Sequence, residues 1–301
     1  MLPIRVRAWT FPTNSETLLT LDDQGHVTRW TGPTFQWAEP ILDLGPDGIT
    51  DACFSPDGSW IATAFRNGNL AIHFINPDQN REPILLSPGP IRLIGFIPGT
   101  NRLLTHDPRS EIYQCWDLIR REIVWEQTTA RFGFLSKPAI APDGTRLIVP
   151  SPRDELSLVP LTSGDEETVA LPIRQITAAT LSPDGRWLAA VSLQGSGILW
   201  DRHQRRTSPT FHGFLQGAHS VTFSPDGRRL AIGSNGAEAV KLWDAESLQE
   251  LITLPGEGSM FQSIAFSPDG RALAACNSQG KLHLWYAPTF DEIARIEAAN
   301  P

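Results

Sequence analysis

Seven histidines, three cysteines and a scatter of carboxylates are the residues of this chain equipped for chemistry. Metal-assisted hydrolysis needs three or four such groups converging on one ion, and nucleophilic catalysis needs a base beside the nucleophile. Local spacing offers neither. Cys53, Cys115 and Cys276 are odd in number and form no CxxC pair, which argues against a disulfide framework or a zinc knuckle. All three fall in strand-like runs and read as small buried thiols. His73 and His283 also sit in strand-like segments and read as core histidines rather than catalysts. HExxH, GxSxG, the P-loop and a strand-borne GxGxxG do not occur. The acidic run GDEET (164–168) and the basic run DRHQRR (201–206) read as solvated turns. No catalytic residue, metal ligand or cofactor is expected from these patterns.

Bulk properties narrow the classes further. Hydrophobic residues make up 41% of the 301 and charged residues 19%, enough for a sizeable core. The formal charge of −8 argues against nucleic acid as a partner. The N-terminal MLPIRVRAWT lacks the apolar run of a secretory signal, and no 18-residue apolar segment exists to span a membrane as a helix. The expectation is a soluble, cytoplasmic chain.

The elements that would position any site emerge from an internal repeat. The prolines Pro12, Pro56, Pro98, Pro142, Pro183, Pro225 and Pro268 recur at intervals of 44, 42, 44, 41, 42 and 43 residues. Seventeen or eighteen residues after each comes Trp30, Phe74, Trp116, Pro160, Trp200, Trp243 or Trp285. Within each copy an apolar run leads into a turn, most clearly Ser-Pro-Asp-Gly. There proline presets φ, aspartate bonds its own backbone, and glycine takes positive φ. A second strand, a second turn, a third strand and a looser fourth follow, with no helical pattern between them. Such a unit has two apolar faces and cannot stand alone. Seven of them can bury those faces radially, each against its neighbours. The recurrent tryptophans suit packing between the sheets.

Period, SPDG turn and terminal Trp-Asp (CWDL, LWDR, LWDA) resemble the WD40-repeat family over essentially the whole chain. That resemblance implies an all-β, seven-bladed propeller of four-stranded antiparallel blades. As one domain spanning 1–301, its blades would fall at 1–44, 45–87, 88–129, 130–171, 172–213, 214–255 and 256–301. The family's Gly-His pair is missing from most copies, and Gln24, Asn67, Gln194, Asn235 or Gln279 stands where the second turn usually has aspartate. The fourth copy, SPRDELSLVPL, is degenerate. Little chain precedes the first strand to complete the last blade, so residues 293–298 are expected to supply its outer strand, with a short helix as the alternative. The ending LWYAPTFDEIARIEAANP also resembles C-terminal propellers of large bacterial proteins, often behind a serine/threonine kinase domain.

The resemblance implies partner binding on the rim where blades connect, around a central channel. Innermost strands would bring Arg7, Thr50, Arg92, Ser136, Thr177, His219 and Gln262 to that channel, followed by Asp51 and Lys137 one step on. One carboxylate and one histidine do not make a metal site. The connecting segments carry aromatic residues: ARFGFL with Phe132 and Phe134, FHGFLQG with Phe211 and Phe214, and GSMF with Met260 and Phe261. These either tuck against their own blades or form an apolar patch, with Arg66, Arg109, Arg131, Arg153 and Arg174 as its charged border. The expected function is a non-catalytic, monomeric interaction scaffold for a protein or peptide, which the resemblance would make the C-terminal module of a larger signalling protein. Its candidate contacts are Phe132, Phe134, Phe211, Phe214, Met260, Phe261, Arg66, Arg92, Arg131, Arg174 and His219. The alternative, by analogy of fold, is a lactonase-like hydrolase acting at the channel.

Overall fold

A computed structural model describes residues 2, 4–13, 16–32, 34–45, 48–75, 82–128, 136–151 and 153–287. Seven antiparallel sheets follow one another along the chain, each built in sequence order. Blade one comprises Val6–Thr10, Leu18–Asp22, His26–Thr31 and Trp37–Asp43. Blade two comprises Ile49–Phe54, Trp60–Phe65, Leu70–Phe74 and Ile84–Leu86. Blades three, four and six repeat the pattern, beginning at Arg92–Phe96, Ala139–Ile140 and Ser220–Phe223. In blade five the outer strand is broken: Arg206–Thr207 and Phe211–His212 both pair with Ser196–Asp201. Blade seven has Phe261–Phe266, Ala272–Asn277 and Leu282–Tyr286 among the described residues. The chain is a seven-bladed all-β propeller; the one helical element described is a 3-10 turn at Gly236–Glu238. No described helix is long and apolar enough to cross a membrane.

Burial follows from position in the ring. Second and third strands are covered on both faces by neighbouring blades, so Ala272–Asn277 and Ser196–Asp201 are buried at every residue. Small side chains such as Ala189, Ala190, Ala274 and Ala275 let the sheets approach there. Outer strands are wet, as in Trp37–Asp43. Each apolar cluster joins two adjacent blades. Ile148, Leu156 and Leu158 pack on Leu181, Leu188 and Ile198, for example, which makes every blade's core half its neighbour's. Cys53, Cys115 and Cys276 lie in strands as free thiols. Trp30, Trp200 and Trp243 are buried between sheets.

The SPDG turns share one set of internal bonds, and the turn at Pro56 also accepts the Thr13 amide of blade one at 2.8 Å. In blade five the Ser182 hydroxyl donates to Asp184 Oδ1 at 2.5 Å, Ser182 Oγ accepts the Trp187 amide at 2.9 Å, and Gly185 takes φ of 70°. The same bonds recur at Ser55, Ser224 and Ser267. The serine hydroxyl, with a backbone amide, holds the Asp184 and Asp226 carboxyls below the usual carboxylate range.

Ring closure involves a stretch that the sequence reading set aside. The short stretch before the first strand does reach the last blade: the Leu2 amide donates to Leu282 O at 3.0 Å, Arg5 bridges Lys281, and the Val6 amide donates to Gly280 O at 2.8 Å. Leu2 and Val6 then bury beside Ala272, Ala274 and Leu282. Extended backbone pairs readily with an open strand edge, so a few residues suffice. Residues 293–298 lie outside the described residues.

Candidate partner-binding rim

One rim carries the SPDG turns; the other carries the blade-to-blade connections and the turns between second and third strands. The first strands converge on a channel cavity of about 590 Å³ that runs from this second rim toward Pro56 and Pro98 on the first, lined among others by Arg7, Cys53, Lys137, Gln262 and Cys276. Lys137 projects into it, solvent-accessible yet with protein on most sides, and its Nζ donates across the channel to Gln262 Oε1 at 3.2 Å. This confinement lowers the lysine's pKa, opposed by the charge of Asp51. Burial likewise raises Asp51, against the pull of the Leu93 and Ala52 amides and of Lys137. Burial also raises Cys276, to about 11, so its thiol stays protonated at neutral pH. Among the described residues no three His, Cys, Asp or Glu side chains gather as metal ligands.

Four of the polar residues assigned to the channel from sequence, Arg7, Asp51, Ser136 and Thr177, serve instead as stitches between consecutive blades, and Ser220 joins them. Arg7 Nη1 donates to Ile49 O at 2.8 Å, and Asp51 Oδ2 accepts the Leu93 amide at 2.8 Å. Ser136 Oγ donates to Ile176 O at 2.6 Å, Thr177 Oγ1 to Ala218 O at 2.7 Å, and Ser220 Oγ to Phe261 O at 2.7 Å. Each bond spans 40 to 42 residues, one repeat. That common separation is the signal by which sequence could have distinguished a structural belt from a reactive site.

Aromatic residues of the connections are packing anchors where they are described. Phe211 and Phe214 are buried against Trp243, at centroid distances of 4.9 and 6.5 Å, and Lys241 Nζ lies 5.6 Å from the Phe214 ring centroid. Gly197 makes room: a Cβ there would stand 2.3 Å from the Phe211 ring. Phe261 is fully buried against His283. Of the two alternatives for these three rings, packing holds and the exposed patch does not, so they are not direct partner contacts. Aromatic rings of this size gain more from filling the seam between two sheets than from facing water. Phe132, Phe134 and Arg131 lie outside the described residues.

What the anchored connection presents is a residue the sequence reading passed over. Between Phe214 and Gly217 the chain arches outward and leaves Leu215 91% exposed. Its own amide donates to Glu238 Oε2 at 3.2 Å, and the flanking backbone is fixed by Ala218 N to Ser192 O and Ser234 Oγ to Gly217 O. Asn235 joins three segments here. Its amide donates to Gln216 O and to His219 Nε2, both at 2.9 Å, while its Oδ1 accepts the Met260 amide. Asparagine in place of aspartate supplies the donor that this junction needs. His219 is buried and neutral, its pKa lowered by burial and then by Lys137, so it is held beneath the rim surface. Met260 is half-buried at φ of 52°. Arg66, Arg92, Arg109, Arg153 and Arg174 are all exposed.

Known proteins share these features in part. The family profile "WD domain, G-beta repeat" matches residues 39–73, 172–201 and 248–286. An uncharacterized WD repeat-containing protein of Deinococcus radiodurans is 35% identical over 92 residues, 28% of this chain and 35% of that protein. One from Synechocystis is 27% identical over 125 residues, 40% of this chain and 35% of its own length. Protein groucho of Drosophila melanogaster is 30% identical over 126 residues, 40% of this chain and 17% of groucho. The matched stretches thus span about a third of the two bacterial relatives.

Proposed function

Because this chain belongs to the WD40-repeat family and folds as its seven-bladed propeller, we propose that it is a non-catalytic scaffold holding a protein or peptide on the channel-mouth rim. The observation that carries the reading is the connection at residues 208–219. Two buried phenylalanines and a set of backbone bonds fix a loop whose exposed side chain is a leucine. A preorganised apolar contact of this kind loses little conformational entropy on binding, whereas a mobile loop would lose much. Exposed arginines on neighbouring turns provide the polar border that interfaces use for specificity. Met260 and the arginines Arg66, Arg92 and Arg174 remain candidate contacts; His219, Phe211, Phe214 and Phe261 act by positioning them. We take the ring to act as a monomer in the cytoplasm, as a docking module for a signalling assembly.

Exposed apolar side chains also occur on outer strands, notably Trp37 and Leu85, so the test must separate rim from edge. A photocrosslinking residue is placed in turn at Leu215, Arg174, Trp37 and Leu85, and adducts are mapped by mass spectrometry. Adducts of one recurring protein at Leu215 and Arg174 are expected. The same protein crosslinking at Trp37 and Leu85 but sparing the rim would refute the assignment.

A further inference from the structure

The channel-mouth rim is electrostatically lopsided. From blade two to blade five it carries Arg66, Arg92, Arg109, Arg153 and Arg174, all exposed, with Lys137 in the channel below them. Among the described residues none of the five guanidinium groups makes an ion pair or a side-chain hydrogen bond. The carboxylates on the same arc are engaged locally. Asp51 accepts the Leu93 and Ala52 amides, Asp107 caps the turn holding Arg109 and Ser110, Asp154 accepts the Gln175 amide, and Glu111 faces His106. On the rest of the rim two lysines are paired, and Arg5 is exposed beside Lys281. Lys281 meets Glu257 at 2.9 Å and Lys241 meets Glu238 at 3.3 Å, while Asp22 and Asp23 add further negative charge.

We propose that this arginine arc is the docking track for an acidic peptide segment, with carboxylate side chains paired to the free guanidinium groups. The inference rests on the rim reading above and names the chemical class of its partner. Unpaired arginines favour carboxylates through two parallel N–H···O bonds, and their field raises the rate of encounter with an anionic chain. Leucine at 215, at the end of the arc, adds an apolar contact beside the charged ones. A polynucleotide is the poorer fit. The net charge of −8 repels a long phosphate chain that extends beyond the arc, whereas a short acidic segment can remain inside it.

The test uses the whole chain and a fluorescein-labelled oligoglutamate peptide, followed by anisotropy, with oligoglutamine and a single-stranded oligonucleotide as comparison probes. Saturable oligoglutamate binding that weakens as salt rises is expected, with no matching oligoglutamine signal. Combining Arg92→Gln, Arg109→Gln and Arg174→Gln should weaken it by about tenfold or more. Thermal melting of the triple variant should match the parent, since all three side chains are exposed. Equal binding of oligoglutamine, tighter binding of the oligonucleotide, or an unchanged affinity in the triple variant would each overturn the proposal. Should oligoglutamate fail while crosslinks still map to Leu215 and Arg174, the acidic class falls and the rim assignment stands. Crosslinks confined to Trp37 and Leu85 would remove both.

Discussion

The two rims of the ring are built on opposite plans. On the SPDG rim four turns repeat one set of bonds, each closed within a single blade. On the channel-mouth rim side-chain bonds run between blades, and the seams use several kinds of group: an arginine donor, a carboxylate that accepts an amide, a threonine and, at two seams, a serine. A rim whose turns satisfy themselves can keep one sequence. A rim held together by cross-blade contacts can vary its chemistry as long as each seam stays bonded. Variation of surface therefore concentrates where the partner is proposed to sit.

The comparison breaks first at the buried anchors. Phe261→Ala removes a fully buried ring from the seam between blades six and seven and is expected to cost about 3–5 kcal/mol, read by urea unfolding. A loss near zero would mean that the seam does not depend on its anchor. Two glycines of nearly equal φ then contrast the rims. At Gly195 a Cβ would meet the Phe214 carbonyl oxygen at 2.1 Å, whereas at Gly270 the nearest atom is Pro225 Cδ at 3.7 Å. Gly270→Ala should cost about 1 kcal/mol from backbone strain alone. Gly195→Ala should cost about 2 kcal/mol or more, because backbone must move. Similar losses at both sites would erase the distinction. Ser220→Ala removes one stitch and leaves the Phe261 carbonyl short of a donor, at a cost of about 1 kcal/mol.

Acid should loosen the rims in sequence. Burial holds His219 and His283 neutral in the fold, their pKa values lowered from the ordinary value near 6.5. Below about pH 6.5 the unfolded chain takes up protons that the folded chain refuses, so stability is full above that pH and declines as pH falls. Asp184 and Asp226, held low by serine hydroxyl and backbone amide bonds, contribute stability present above the ordinary carboxylate range and lost at lower pH. Urea midpoints measured against pH should thus fall in two steps, the first reduced in His219→Gln. A single step below pH 4 would show that the channel-mouth histidines titrate freely. The smallest effect belongs to the surface: Arg174→Gln should leave stability within about 0.5 kcal/mol while altering only binding.

Much of this was legible from residues alone. Proline and tryptophan landmarks marked out seven units because a turn needing positive φ at one glycine tolerates few sequences, and six of the seven copies repeat that need. Most of the stitches were visible as positions but were read only as lining the channel, since a serine in sequence does not reveal which carbonyl it faces. The connection at 208–219 was legible only in part. Which of Phe211, Phe214 and Leu215 turns outward depends on the broken outer strand and on the space left by Gly197, and neither has a local signature. Ring closure was hidden for a different reason. The bonds from Leu2 and Val6 to blade seven are made by backbone, which every residue possesses.

That closure gives the ring a built-in order of assembly. Residues 2–6 are synthesised long before the strand edge they clasp, which begins only at Gly280. During synthesis the core shared by blades one and seven must stay half-made, with Phe11 and Leu18 awaiting Ala274 and Leu282. Contacts so distant in sequence form late and slowly. The joint between first and last blades is thus the place where a nascent ring is most open to the wrong neighbour.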